Sequence, residues 1–160
     1  MKAEILIKDI APEWRAKETE KSNLLIRAWI LEAEGDTETA LRLYAQAAQM
    51  EEQIAAYSKS IGLDMKSWYD AISAAGCWAK AGDLYRALQG YETLLQDPTL
   101  HPTTRSHVCN LADKLREQWR QWSVFRRQQE NEEENNGTET NRQAEVSTGS
   151  VREGVATSSV

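Results

Sequence analysis

Proline, cysteine and long apolar runs are scarce in this chain, and each scarcity excludes something. Of 160 residues only three are Pro, two are Cys, two are His and eight are Gly. Few Pro and sparse Gly leave little to interrupt helices, so an all-helical chain is expected. Cys77 and Cys109 lack the CxxC spacing of redox and zinc motifs. His101, His107 and Cys109 would still need a fourth ligand from elsewhere. No metal and no cofactor is therefore expected, and both thiols read as small buried groups in helix seams. No apolar run approaches the roughly 18 residues of a membrane span. Met1 to Asp9 is too short and too charged for a secretory signal, which points to a cytoplasmic protein.

Catalytic patterns are also missing. The chain has no GxSxG, no P-loop, no HExxH and no Gly-rich strand–turn–helix. Glu18, Glu20, Glu51 and Glu52 read as solvated helix faces rather than acid–base pairs. The expectation is a non-enzyme with no small-molecule substrate. A net charge of −6 argues against general nucleic-acid binding by the body of the chain.

What is present is a repeat. Gly35-Asp36, three residues, Ala40-Leu41, two residues, Tyr44 returns 47 positions later as Gly82-Asp83, Ala87-Leu88 and Tyr91. Gly tolerates the positive φ that ends a helix tightly. Asp then caps the next helix through its carboxylate. A small Ala lets a neighbouring helix axis approach, and Tyr follows one turn later on the same face. The unit is helix, tight turn, helix.

This pattern resembles the tetratricopeptide repeat, a family of stacked antiparallel helix pairs. The matching residues are Gly35, Asp36, Ala40, Leu41, Tyr44 and Ala47, then Gly82, Asp83, Ala87, Leu88, Tyr91 and Leu94, with Pro98 after the second copy. The resemblance covers roughly residues 20 to 125. It departs from the family in its spacing, which exceeds the usual 34 residues, and in Leu24 and Ala71 standing where the family has a large aromatic. It implies about two helical hairpins plus a C-terminal capping helix, with the first helix of each pair lining a groove. The groove positions implied are Ser22, Leu25, Trp29 and Glu32 in the first pair, and Tyr69, Ile72, Gly76 and Ala79 in the second. Leu25, Trp29 and Ser73 occupy places where some family members grip a peptide carboxylate, so that activity is not implied.

Taken in order, residues 1–11 read as an arm carrying Ile5, Leu6, Ile7 and Ile10. A helix from Pro12 to Glu34 buries Leu24, Leu25, Ala28, Trp29 and Leu31. A second runs from Asp36 or Thr37 to about Ser60 with a seam of Ala40, Leu41, Tyr44, Ala47, Ala48, Glu51, Ile54, Tyr57 and Ile61. A third, about Met65 to Ala81 and capped by Asp64, presents Met65, Trp68, Tyr69, Ile72, Ala75 and Ala79 at helical spacing. A fourth runs from Asp83 to about Gln96 and ends at Asp97-Pro98. A fifth starts at Leu100-His101-Pro102-Thr103 with the stripe Val108, Leu111, Ala112, Leu115, Trp119, Trp122 and Phe125, and closes the stack. Residues 1–129 thus form one helical domain. Residues 130–160 lack aromatics, Leu and Ile, cannot offset their ordering entropy, and read as a disordered polar tail.

Six Trp and five Tyr are the informative excess. Tyr44, Tyr91 and Trp78 read as core. Trp29 and Tyr69 read as groove anchors for a partner segment, because such residues bury much area at little entropic cost. The expected function is a protein-interaction module, an adaptor, scaffold or chaperone, binding another protein or peptide. The competing reading is a nucleic-acid or membrane-surface accessory acting through Arg116, Arg120, Arg126 and Arg127 among the aromatics of the last helix.

Overall fold

The computed structural model describes residues 10–149. They form five helices: α1 (Pro12–Glu34), α2 (Thr37–Ser60), α3 (Asp64–Lys80), α4 (Leu84–Leu95) and α5 (Pro102–Gly149). Among the described residues there is no strand. Most of the arm, residues 1–9, and the end of the tail, 150–160, lie outside the described residues. Ile10 is buried, and the Ala11 N–H donates to the Tyr57 hydroxyl at 3.2 Å.

The turns follow from Gly and Asp as expected. Gly35, Gly62 and Gly82 have φ of 89°, 79° and 84°, a region costly for residues with a Cβ. In the first turn Gly35 N–H donates to Glu32 O and Asp36 N–H to Leu31 O. Gly82 and Asp83 repeat this pattern onto Ala79 and Trp78. Gly62 and Leu63 repeat it onto Lys59 and Ser58. All three are Schellman closures, which satisfy terminal carbonyls. Asp36 then accepts from Thr39 N–H and Asp83 from Arg86 N–H. Asp64 does not cap α3. It lies in the first turn, where its charge still favours the helix N-terminus.

Contacts between neighbouring helices pair rising with falling residue numbers, so the helices run antiparallel. Trp14 stacks on Tyr57 at 4.3 Å, while Tyr44 donates to Glu32 at 2.8 Å. Ser67 donates to Ala55 O, while Trp78 Nε1 donates to Glu52 at 2.7 Å. Gly90 of α4 lies so close to Ala75 of α3 that a Cβ there would sit 3.2 Å from the alanine Cβ. Glycine in mid-helix costs about 1 kcal/mol against alanine, and here it permits that close approach.

The buried core joins Ala47, Ala75, Trp78, Ala87, Tyr91, Leu94, Val108, Ala112 and Leu115, with Ala28, Ala40, Leu43 and Tyr44 as a second cluster. Tyr44, Tyr91 and Trp78 are core residues, as read from the sequence. Four expectations need correction. In α2, Leu43 takes the buried place and Leu41 is exposed. In α3 the inward face is Ser67, Asp70, Ala74, Ala75, Cys77 and Trp78, so Met65 points outward, on the same side as the expected anchor Tyr69. In α1, Trp29 is exposed rather than part of the buried stripe. Cys109 is exposed and only Cys77 is buried.

The described chain divides after Glu117 into two units. In the first, Val108, Ala112 and Leu115 of α5 are buried with α4. In the second, α5 runs on to Gly149, past Glu130, where the sequence predicts a disordered tail. Glu, Gln and Arg around that point are good helix formers, and Arg126–Glu130 is an i,i+4 pair at 3.9 Å. The helix therefore continues through local interactions, with exposed side chains from Val124 to Glu133.

Candidate interaction surface

The six residues singled out on the first and third helices divide between surface and core. Trp29 is 65% exposed and Tyr69 57%. Ser22 is exposed and donates to Glu18 O in its own helix. Glu32 is exposed and accepts from Tyr44. That bond, added to burial, pushes the Tyr44 hydroxyl up to about 12. Leu25 and Ile72 are half-buried and pack against the core. Of the two further positions implied by the resemblance, Gly76 faces the Tyr91 hydroxyl and Ala79 packs on the core.

A charged seam places α1 beside α3. Lys66 of α3 donates to Glu18 of α1 and bonds Asp70 at 2.8 Å. Lys21 of α1 bonds Glu18 and Glu51, each at 3.1 Å. Glu51 is 2% exposed, not on a solvated face as its sequence context implied. Its Oε1 accepts from Ser73 at 2.6 Å and its Oε2 has no hydrogen-bond partner. Burial, with Glu51 nearby, pushes the Cys77 thiol up to about 11. It is a poor nucleophile at neutral pH. With Glu18 opposite Lys66, Tyr69 lies level with Lys21. Trp29 then stands eight residues, about 12 Å, further along the paired axes.

This seam sets a pH profile. Burial pushes the Glu18 carboxyl up, but bonds from Lys66 and Lys21 outweigh it and hold the group below 4.5. Burial pushes Lys21 and Lys66 down, but their carboxylate partners outweigh it and raise both above 10.5. The Glu18 contribution is present above its unfolded value and lost as pH falls through its lower folded value. The lysine and Cys77 contributions are full below their unfolded values and lost as pH rises towards the folded ones. Denaturant stability should thus be level from about pH 6 to pH 8 and fall on both sides. In Glu18→Gln the acid limb should shrink. An acid limb of unchanged amplitude would show that this carboxylate is not held as described.

A concave surface elsewhere on the molecule was not foreseen. A cleft of about 490 Å³ opens between α2 and α4 over α3. Its floor is Ser67, Ala71, Ala74 and Ala75. At one end Trp78 donates to Glu52 and lies under Arg86 at 4.5 Å. At the other, Trp68 and Lys59 both bond Asp97, at 3.3 and 3.2 Å. Bonds from Thr99, with those two, hold the Asp97 carboxyl well below the usual range. No periodicity in the sequence marks the gap above these small α3 residues. The face of α3 on this cleft lies roughly 150° around the helix from the face bearing Met65 and Tyr69.

On α5, Trp119, Trp122 and Phe125 are 43%, 46% and 57% exposed. The Arg126 guanidinium lies 4.6 Å over the Trp122 ring. Arg116 is held by Glu92 and Asp113 at 3.0 and 2.7 Å, so one of the four basic candidates serves to tie α5 to α4. Among the described residues no three His, Cys, Asp or Glu side chains converge in a way that could hold a metal ion. None of the described helices is long and apolar enough to cross a membrane. Comparison with protein-family models, with curated proteins and with solved structures gives no match.

Proposed function

We propose that the chain is a tetratricopeptide-like, non-catalytic interaction module that holds a partner segment against α1 and α3. The repeat reading is supported by two Gly-Asp turns closed by the same hydrogen bonds, and by Ala40 and Ala87, Tyr44 and Tyr91 being buried alike. The observation that carries the functional reading is the exposure of Trp29 and Tyr69 on two helices joined through Glu18 and Lys66. Large aromatics left open on neighbouring helices suit an apolar or amphipathic helix laid across them.

The test is capture of the partner from an extract of the source cell, followed by an affinity measurement. Truncating a central anchor costs on the order of 2 kcal/mol or more. Trp29→Ala with Tyr69→Ala should therefore weaken capture at least about thirtyfold while circular dichroism stays unchanged. Undiminished affinity in the folded double variant would remove the proposal.

The exposed Trp119, Trp122 and Phe125 favour a second reading, in which α5 contacts nucleic acid or a membrane surface through Arg120, Arg126 and Arg127. Binding would then fall steeply with salt, and reversal of those charges would abolish it while the aromatic double variant bound normally.

A further inference from the structure

The cleft between α2 and α4 is bridged at both ends, and each bridge joins an acid, an indole and a base. At one end Asp97, just beyond α4, accepts from Lys59 of α2 and Trp68 of α3. At the other, Glu52 of α2 accepts from Trp78 of α3, and Arg86 of α4 lies over the same indole. The two tryptophans stand ten residues apart on α3, about 15 Å. Ala71, Ala74 and Ala75 floor the space between them. Gln89 and Thr93 of α4 bring an amide and a hydroxyl to one wall.

A volume of about 490 Å³ lies within the roughly 300–1,000 Å³ of small-molecule sites. An apolar floor flanked by aromatics, with a few polar groups beside it, is the usual lining of such sites. The bridged ends limit the length of an occupant. A helix or strand laid along the cleft would have to displace both bridges. A compact molecule sits between them.

Charge narrows the ligand class. Two acids and two bases line the cleft, so it carries no net charge. Asp97 is already met by Lys59, and Glu52 and Arg86 share Trp78. A charged ligand would lose its water over an apolar floor with no excess charge to receive it, which is unfavourable. We infer that the cleft binds one uncharged, largely apolar small molecule, seated on Ala71, Ala74 and Ala75 between Trp68 and Trp78, with a polar group towards Gln89 and Thr93.

The test is a fluorescence titration of the full chain with N-phenylnaphthylamine, a neutral arylamine whose emission rises in apolar surroundings. Its anionic analogue, anilinonaphthalene sulfonate, is titrated in parallel. The neutral probe should saturate at one molecule per chain. The sulfonate should bind at least about tenfold more weakly, because its charge gains no partner there. Ala71→Phe fills the cleft from its floor and should weaken the neutral probe at least about tenfold, since such a site must enclose most of its ligand. Gln89→Trp fills it from an exposed wall position and should do the same, whether or not the floor variant folds. Trp119→Ala with Trp122→Ala should leave the affinity unchanged. Absence of saturable binding, a sulfonate that binds as tightly as the neutral probe, or binding lost with Trp119 and Trp122 but kept in Gln89→Trp would each overturn the inference. The titration needs no partner protein, so its outcome is separate from that of the capture experiment.

Discussion

Lys21→Met should lower the unfolding free energy by about 3–5 kcal/mol, the usual cost of removing one member of a buried ion pair. Lys21 is the cation that meets Glu51, and Glu51 is almost wholly out of solvent. Without it the carboxylate keeps one hydrogen bond, from Ser73, and an unpartnered Oε2. Lys21→Met with Glu51→Leu should recover most of the loss, since an apolar pair can replace a buried ion pair at little cost. Chemical denaturation of the two single variants and the double completes the cycle. A loss under about 1 kcal/mol in Lys21→Met would show that water already solvates this seam.

Ala87→Trp and Ala40→Trp should each destabilise the protein by about 3 kcal/mol, because the indole has no space and must force two helices apart. Ala87 is 0% and Ala40 1% exposed, and each precedes a buried Tyr by one turn. Denaturation midpoints should fall while the slope with denaturant stays constant. Leu41, the residue after Ala40, is exposed, so Leu41→Ala should scarcely register. Small shifts for both tryptophan variants would mean that the repeated Ala does not mark a close helix seam.

The parts of the fold legible in the sequence are those governed by local chemistry. Gly35, Gly82 and their Asp neighbours act within a single turn, so the ends of the first and third helices and the starts of the second and fourth could be read directly. Ala40, Ala87, Tyr44 and Tyr91 were readable because the motif occurs twice. The inward face of α3 was not, because two of its buried residues are polar. Ser67 is buried by giving its hydroxyl to Ala55 O, and Asp70 by accepting from Ser58 and Lys66. A pattern of apolar residues cannot register such partners, which come from another helix. Tyr69 is exposed, as an interaction anchor must be. Its place relative to Trp29 depended on the Glu18–Lys66 pair, which joins residues 48 positions apart. On α5 the apolar spacing runs unbroken from Val108 to Phe125, but burial stops at Leu115. Periodicity shows which residues share a face and is silent on whether that face is covered.

The most direct test of the interaction surface is amide hydrogen exchange of the full chain, alone and with its captured partner. Binding against α1 and α3 predicts slowed exchange around residues 22–32 and 69–79, with 119–127 unchanged. Slowing confined to 119–127 would contradict the account and assign partner binding to α5.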